Sequence, residues 1–289
     1  MSASHSLGKV QAMKARAWIL WLIPLLLASA DAHAWGLATH VYFSQLLLWA
    51  VPLLDPRLRE AARRFPNLVL AGSCLPDLAL FGRGAGTAAF DGTHDWAHAA
   101  RLLERADSAE ARAIALGYGS HLFVDIVAHN HFVPAHEQMW LKLPVLTHAV
   151  SEWVMDAHID RHLFAQPHDL VRGHRDVLAG YVSGEFDCTP QEAGRTLDYL
   201  GRATSLLYES RLHRVLNRGA RVLDRRLGKR FDHYVAETAN RLPEINRFLV
   251  GEAPCWRADL PCPERTQYLR QLSFEELRGP LPLPASLYG

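Results

Sequence analysis

Beyond residue 34, apolar positions recur at the three-and-four spacing of helices, and no stretch alternates as a strand would. Residues 40–51 are apolar with helix-compatible spacing. A helix over about 57–64 precedes "NLVLAGSCLPD", which reads as a buried segment entering a loop. The Gly-rich run "GRGAGTAAFDGTH" at 82–94 lacks helical periodicity and predicts a loop. "DSAE" at 107–110 fits a capping box with Asp107 as N-cap and Glu110 three positions on. The helix that it opens runs toward His129, and another covers about 145–163. "TPQE" at 189–192 is a second capping box, with Pro190 at the favoured first position. It starts a long helical stretch toward Leu227, with an interruption expected at Gly219. Residues 231–250 also have helical spacing, and the tail is Pro-rich. With no internal repeat, the pattern predicts a compact, all-α, multi-helix single domain over 35–289, its 170–289 part helical as well.

The first 34 residues follow a different rule. Lys9, Lys14 and Arg16 precede an apolar run, Ala17–Ala30, too short to span a bilayer comfortably. Small residues allow cleavage after Ala30 or after Ala34. Residues 1–34 are thus expected to be a removed signal peptide, and no later run is expected to cross a membrane. An exported product, periplasmic or secreted, follows. Removing the leader shifts the formal charge from +1 to near −1, so bulk charge argues for no stable nucleic-acid partner. Export permits disulfides among the four cysteines, and the pair flanking a short loop, Cys255 and Cys262, is the expected bridge.

Histidine changes the picture. There are 16, and nine lie between His94 and His162, which directs attention to metals. In "SHLFVDIVAHNH", His121, Asp125 and His129 are spaced by four. Each step of four rotates only about 40° around a helix, so the three share one face. His131 points away from that face unless the helix ends first, and Pro134 is the earliest strong breaker. "HAVSE" places His148 and Glu152 four apart. Asp77 ends "GSCLPD" and His94 sits in "GTHDW", a carboxylate and an imidazole from loop-like segments that can complete a site the helices leave open.

These residues, in this order, resemble the zinc-dependent phospholipase C family and its relatives, the single-strand-specific zinc nucleases. "GSCLPD", "GTHDW" and "SHLFVD" also resemble the catalytic part of glycosylphosphatidylinositol-specific phospholipase D. The resemblance covers about 35–160 and implies a helical, exported phosphodiesterase with three zinc ions. It implies that a Trp freed by leader cleavage ligates through its terminal amine and carbonyl; here that is Trp35, followed by His40. It further implies Asp77, His94, His121, Asp125, then His129 or His131, then His148 and Glu152 as ligands. Asp125 takes the bridging role, and Asp77 becomes the candidate general base. Two departures stand out. The family's later histidine lies six after the bridging Asp, following a proline absent here, which makes His129 the first choice and His131 the alternative. The His94–His121 interval is also shorter.

The implied substrate is a phospholipid or another phosphodiester, with transient membrane-surface contact. A nuclease on the same cluster and a zinc-binding protein without turnover are the alternatives. His98 reads as a helix-side residue, His136 as loop, and His158 and His162 as ordinary polar positions. Asp156 is either a partner orienting a ligand imidazole or a surface salt bridge. Arg211, Arg214, Arg218, Arg221 and Arg225 are spaced to line one helical stripe, read first as a solvated surface and second as facing anionic lipid or phosphate.

Overall fold

The structure, a computed structural model, describes residues 36–140 and 144–288, the side chains of 144 and 145 excepted. The leader and Trp35 lie outside the described residues. Among those residues there is no strand. The helices are α1 (Leu37–Ala50), α2 (Pro56–Arg64), α3 (Pro66–Gly72), α4 (Trp96–Arg105), α5 (Ala109–Val127), α6 (Val133–Met139) and α7 (Pro144–Ile159). There follow α8 (Pro167–Gly173), α9 (Arg175–Glu185), α10 (Pro190–Glu209), α11 (Leu212–Leu223), α12 (Leu227–Arg241) and α13 (Pro263–Gln271). Shorter helical turns connect them. The all-α expectation is met.

Helix α5 is the axis of the fold. From Ala113 to Val127 every residue is buried. A helix without a polar stripe must be covered on all sides, and α1, α2, α3 and α4 supply that cover. The tightest approach is to α3. A Cβ on Gly117 would sit 2.0 Å from the Val69 carbonyl oxygen, so only glycine lets the two backbones meet. Gly117→Ala is expected to cost about 3 kcal/mol through overpacking and to lower the melting temperature by about 10 °C. A thermal melt within two degrees of wild type would refute this close packing. Pro66–Ala85 has the length and apolarity of a membrane span by composition. It is mostly buried inside the protein, as a core segment is, and is broken into α3 and short turns.

The structure corrects several local expectations. The N-cap of α5 is Ser108, whose Oγ accepts from Ala111 N at 3.0 Å, not Asp107. The one-residue shift puts Ala111 at the third position, which leaves no acidic partner for a capping box. The second box is as expected: Thr189 Oγ1 accepts from Glu192 N, and Glu192 Oε2 accepts from Thr189 N. Gly219 lies inside α11. The chain instead breaks at Ser210 and Arg211, where Arg211 takes a left-handed φ of 56°. The Pro-rich tail carries α13 and a short helix at Phe274–Leu277, which pack on α6 through Leu269, Leu277 and Ala135.

His136 is not in a loop. It is buried in α6, its Nδ1 facing Phe132 O at 2.7 Å and its Nε2 accepting from the buried Arg230 at 3.2 Å. Arg230 in turn pairs with Asp224 at 2.7 Å, tying α6 to α12. The expected Cys255–Cys262 bridge is absent, and all four cysteines are free thiols. Cys262 caps α13 and its Sγ faces Glu264 Oε2 at 2.9 Å, whereas Cys255 Sγ faces Leu287 O at 3.4 Å. The two sulfurs are committed to different neighbours.

Candidate metal centre

Three helices and two connecting segments carry one buried cluster: α1 brings His40, α5 and its extension bring His121, Asp125 and His129, and α7 brings His148 and Glu152. Asp77 comes from the turn after α3 and His94 from the loop before α4. The helical period places the α5 residues, and tertiary packing brings the others to them. The His40 and His121 rings stack with centroids 3.5 Å apart and planes 9° from parallel.

Asp125 is the hub. Its carboxylate is fully buried, and four imidazole Nε2 atoms surround it: His121 at 3.0 Å, His40 at 3.2 Å, His94 at 3.4 Å and His129 at 3.6 Å. Asp77 Oδ1 lies 3.8 Å from His121 Nε2 and 3.9 Å from His94 Nε2. His148 Nε2 lies 2.8 Å from Glu152 Oε1. The side chains fall into three groups whose ligating atoms lie within 4.8 Å of one another: His40, His121 and Asp125; Asp77, His94 and His121; His129, His148 and Glu152.

Asp77 Oδ1 and both Asp125 oxygens are buried with no hydrogen bond of acceptable geometry. Buried carboxylate oxygens without donors are costly. Nitrogen and oxygen donors converging on a shared point suit a divalent cation of the zinc type. His121 is already oriented for that role. Its Nδ1 faces Ser73 O at 2.7 Å, which holds the proton on Nδ1 and turns the Nε2 lone pair inward.

The electrostatics agree. Burial pushes the Asp77 carboxyl up to about 8, against the pull of His121, and the Asp125 and Glu152 carboxylates add to the rise. Burial opposes charge on Asp125 too, yet His121 and His40 hold it well below the ordinary range. Burial lowers His94 to about 3, so its imidazole is neutral and able to ligate. Burial would also lower His148, but the Glu152 and Glu137 carboxylates raise it instead. A bound cation displaces that proton and takes over the role of neutralising Glu152.

The geometry sets His129 and His131 in different surroundings. The helix does not break before Phe132; it widens into a π turn over Ala128–Phe132. His129 therefore stays on the Asp125 face, its ring 5.3 Å from that of His148. His131 points to the other side, against Trp256 at 5.0 Å, and joins none of the three groups. His98 lies on α4 beside Phe186, and His158 pairs with Asp232, so neither approaches the cluster. Trp35 lies outside the described residues.

Two features escaped the sequence reading. Asp156 is neither a surface salt bridge nor an orienter of an imidazole. It is buried and caps the start of α1, accepting from Ala38 N (3.3 Å), Thr39 N (3.0 Å) and Thr39 Oγ1 (2.7 Å). Gly36 lies so close that a Cβ there would sit 2.2 Å from Asp156 Oδ2. Capping ties α1, and hence His40, to the helix that carries His148 and Glu152. The second feature is the 256–262 segment, which straps across from the His94 side to the His129 side. Trp96 Nε1 donates to Trp256 O at 3.0 Å, Asn130 Nδ2 donates to Arg257 O at 2.9 Å, and Cys262 N donates to Asn130 Oδ1 at 2.7 Å. Asp259 on this strap is close enough for its charge to act on His94. No sequence spacing links Asn130 to a partner 127 positions away.

Comparison with known proteins agrees with the geometry. No curated protein and no solved structure matches the chain. The family described as "Zinc dependent phospholipase C" matches residues 39–188, just over half of the chain, a span that contains every clustered side chain from His40 to Glu152. By that match, and with its buried imidazole–carboxylate centre, the chain belongs to the zinc-dependent phospholipase C family.

Proposed function

We propose that the protein is an exported, zinc-dependent phosphodiester hydrolase of the phospholipase C type, with a phospholipid as its favoured substrate. Membership of the family supports a hydrolase acting on phospholipid. The observation that carries the finer reading is Asp125, buried without a hydrogen bond and ringed by four imidazole nitrogens.

Zinc held there supplies Lewis-acid polarisation of a phosphoryl oxygen and a lowered pKa for water. The residues of the chain set up that chemistry. Asp125 would hold one ion together with His40 and His121, and its 3.4 Å approach to His94 would let it share a second ion held by Asp77, His94 and His121. His129, His148 and Glu152 would hold a further one. Asp77 would offer one carboxylate oxygen as a ligand, and its other oxygen would orient the attacking water and accept its proton once a bound cation holds the carboxyl ionised.

Purified mature protein should release head group from phosphatidylcholine or a glycosylphosphatidylinositol-type lipid, and chelator should abolish that release. Single-stranded DNA and a generic phosphodiester in the same assay test the nuclease alternative. No chelator-sensitive turnover on any substrate would leave only a zinc-binding role. Metal analysis separates the two histidines: His129→Ala should lower zinc content by about a third, on three ions, while His131→Ala should leave it unchanged. The opposite pattern would reverse their assignment.

The leader belongs to the same reading. Cleavage after Ala34 would free the amine of Trp35, whose reference pKa of about 8 lets a metal displace its proton. The Asp156 cap holds the neighbouring Gly36 close to α7, which supports a ligand from this end of the chain. N-terminal sequencing tests it; a mature chain beginning at Asp31 would remove Trp35 from the set.

A further inference from the structure

The arginine stripe expected from the sequence does not form as one. Arg211 and Arg225 fall outside α11, and Arg221 turns inward to Asn217 Oδ1 (2.7 Å) and His158 Nδ1 (2.6 Å). Arg214 and Arg218 instead meet Arg161, from the turn after α7, in a groove of about 440 Å³ that Asp160, Gln166 and Asn217 also line. Asp160 pairs with Arg214 at 2.6 Å and accepts from Gln166 Nε2 at 3.1 Å. Among the described residues, neither Arg161 nor Arg218 has a carboxylate within ion-pair distance. Arg161 Nε donates to His162 Nε2 at 3.2 Å. The groove is thus lined by three guanidinium groups and one carboxylate, an excess of two positive charges.

Like charges converge at a cost unless an anion completes the set. Here they come from two separate elements to one groove, whose volume is in the range of small-ligand sites. Arginine forks match the oxygens of a phosphoryl group, and a dianion balances the excess. The groove is also separate from the metal centre. Ala157, on its wall, follows Glu152 by five positions, which puts it about 140° around α7 from that side chain.

We propose that this groove is a binding site for a phosphoryl group, with Arg161 and Arg218 as its main contacts and Arg214 held in place by Asp160. The source is either a soluble phosphate monoester, the class of product that phospholipase C chemistry releases, or the head group of an anionic lipid. The exposed Phe164 and Val215, each three residues from a groove arginine, are apolar neighbours of a kind that a lipid surface would cover. The site stands whether or not the metal centre hydrolyses a phosphodiester.

The test is calorimetric titration of the intact metal-loaded protein with inorganic phosphate, beside R161A/R218A. Both are repeated on the D125A background, so that phosphate bound at the metal centre is told apart. In that background the native groove should bind phosphate, and R161A/R218A should bind it at least tenfold more weakly, with circular dichroism unchanged. Both arginines are exposed, so the double variant should fold. Equal affinity in the two, or no binding by the parent, would overturn the proposal. Co-sedimentation with phosphatidylcholine vesicles, with and without phosphatidic acid, then distinguishes the sources. Arginine-dependent capture by the acidic vesicles indicates a lipid head group, and phosphate binding without capture indicates a soluble ester.

Discussion

Asp125→Ala is expected to lose most of its bound zinc and to slow phosphodiester hydrolysis by on the order of a thousandfold or more. The estimate follows from a Lewis-acid contribution of several kcal/mol at the reacting phosphoryl group, each ~1.4 kcal/mol being a factor of ten. No other side chain in the cluster lies beside imidazoles from α1, α5, the loop before α4 and the π turn together. Its removal therefore takes a ligand from the group of His40 and His121 and a close neighbour, at 3.4 Å, from His94 in the second group. Asp125→Asn is the sharper variant, because it preserves shape while deleting the charge that offsets the cations. Zinc analysis and a chelator-controlled rate should be measured on the same preparation. Full zinc content together with activity within tenfold of wild type would mean that Asp125 is not the bridging group.

The second large effect is expected at Asp156, through stability first and the metal centre second. Asp156→Ala leaves Ala38 N and the Thr39 hydroxyl without their buried acceptor, while Thr39 N keeps the Gly36 carbonyl at 2.9 Å. Each unmet buried donor costs about 1–3 kcal/mol, so two of them cost about 2–6 kcal/mol, or roughly 10 °C in melting temperature for a chain of this size. Because Thr39 adjoins His40, release of the α1 terminus should also lower zinc content in protein that remains folded. Asp156→Asn keeps one acceptor oxygen and turns an NH2 toward the donors, so an intermediate loss is expected. A variant that melts like wild type would show that α1 is held by its apolar face alone, through Val41, Phe43 and Leu47.

The helical class, the second capping box and the approximate helix bounds were legible because each rests on local backbone rules. The errors share a cause as well. The α5 cap moved by one residue, and the interruption assigned to Gly219 fell at Arg211. In both places local propensity allowed more than one answer, and packing chose. The cysteine pairing failed similarly: closeness in sequence does not aim two sulfurs at each other when each has another neighbour.

Within the centre the division is clear. The sequence by itself placed His121, Asp125 and His129 on one helical face, and His148 with Glu152 on another, because a rotation of about 100° per residue leaves no freedom at a spacing of four. It also disfavoured His131, for the same reason. Tertiary structure alone decided that His40 stacks on His121, that Asp156 caps α1, that the 256–262 strap ties Asn130 to Trp96, and that three arginines share one groove. Those contacts join elements far apart in the chain. Which faces meet there is set by burial of apolar surface over the whole core, a non-directional force that leaves no periodic trace in the sequence.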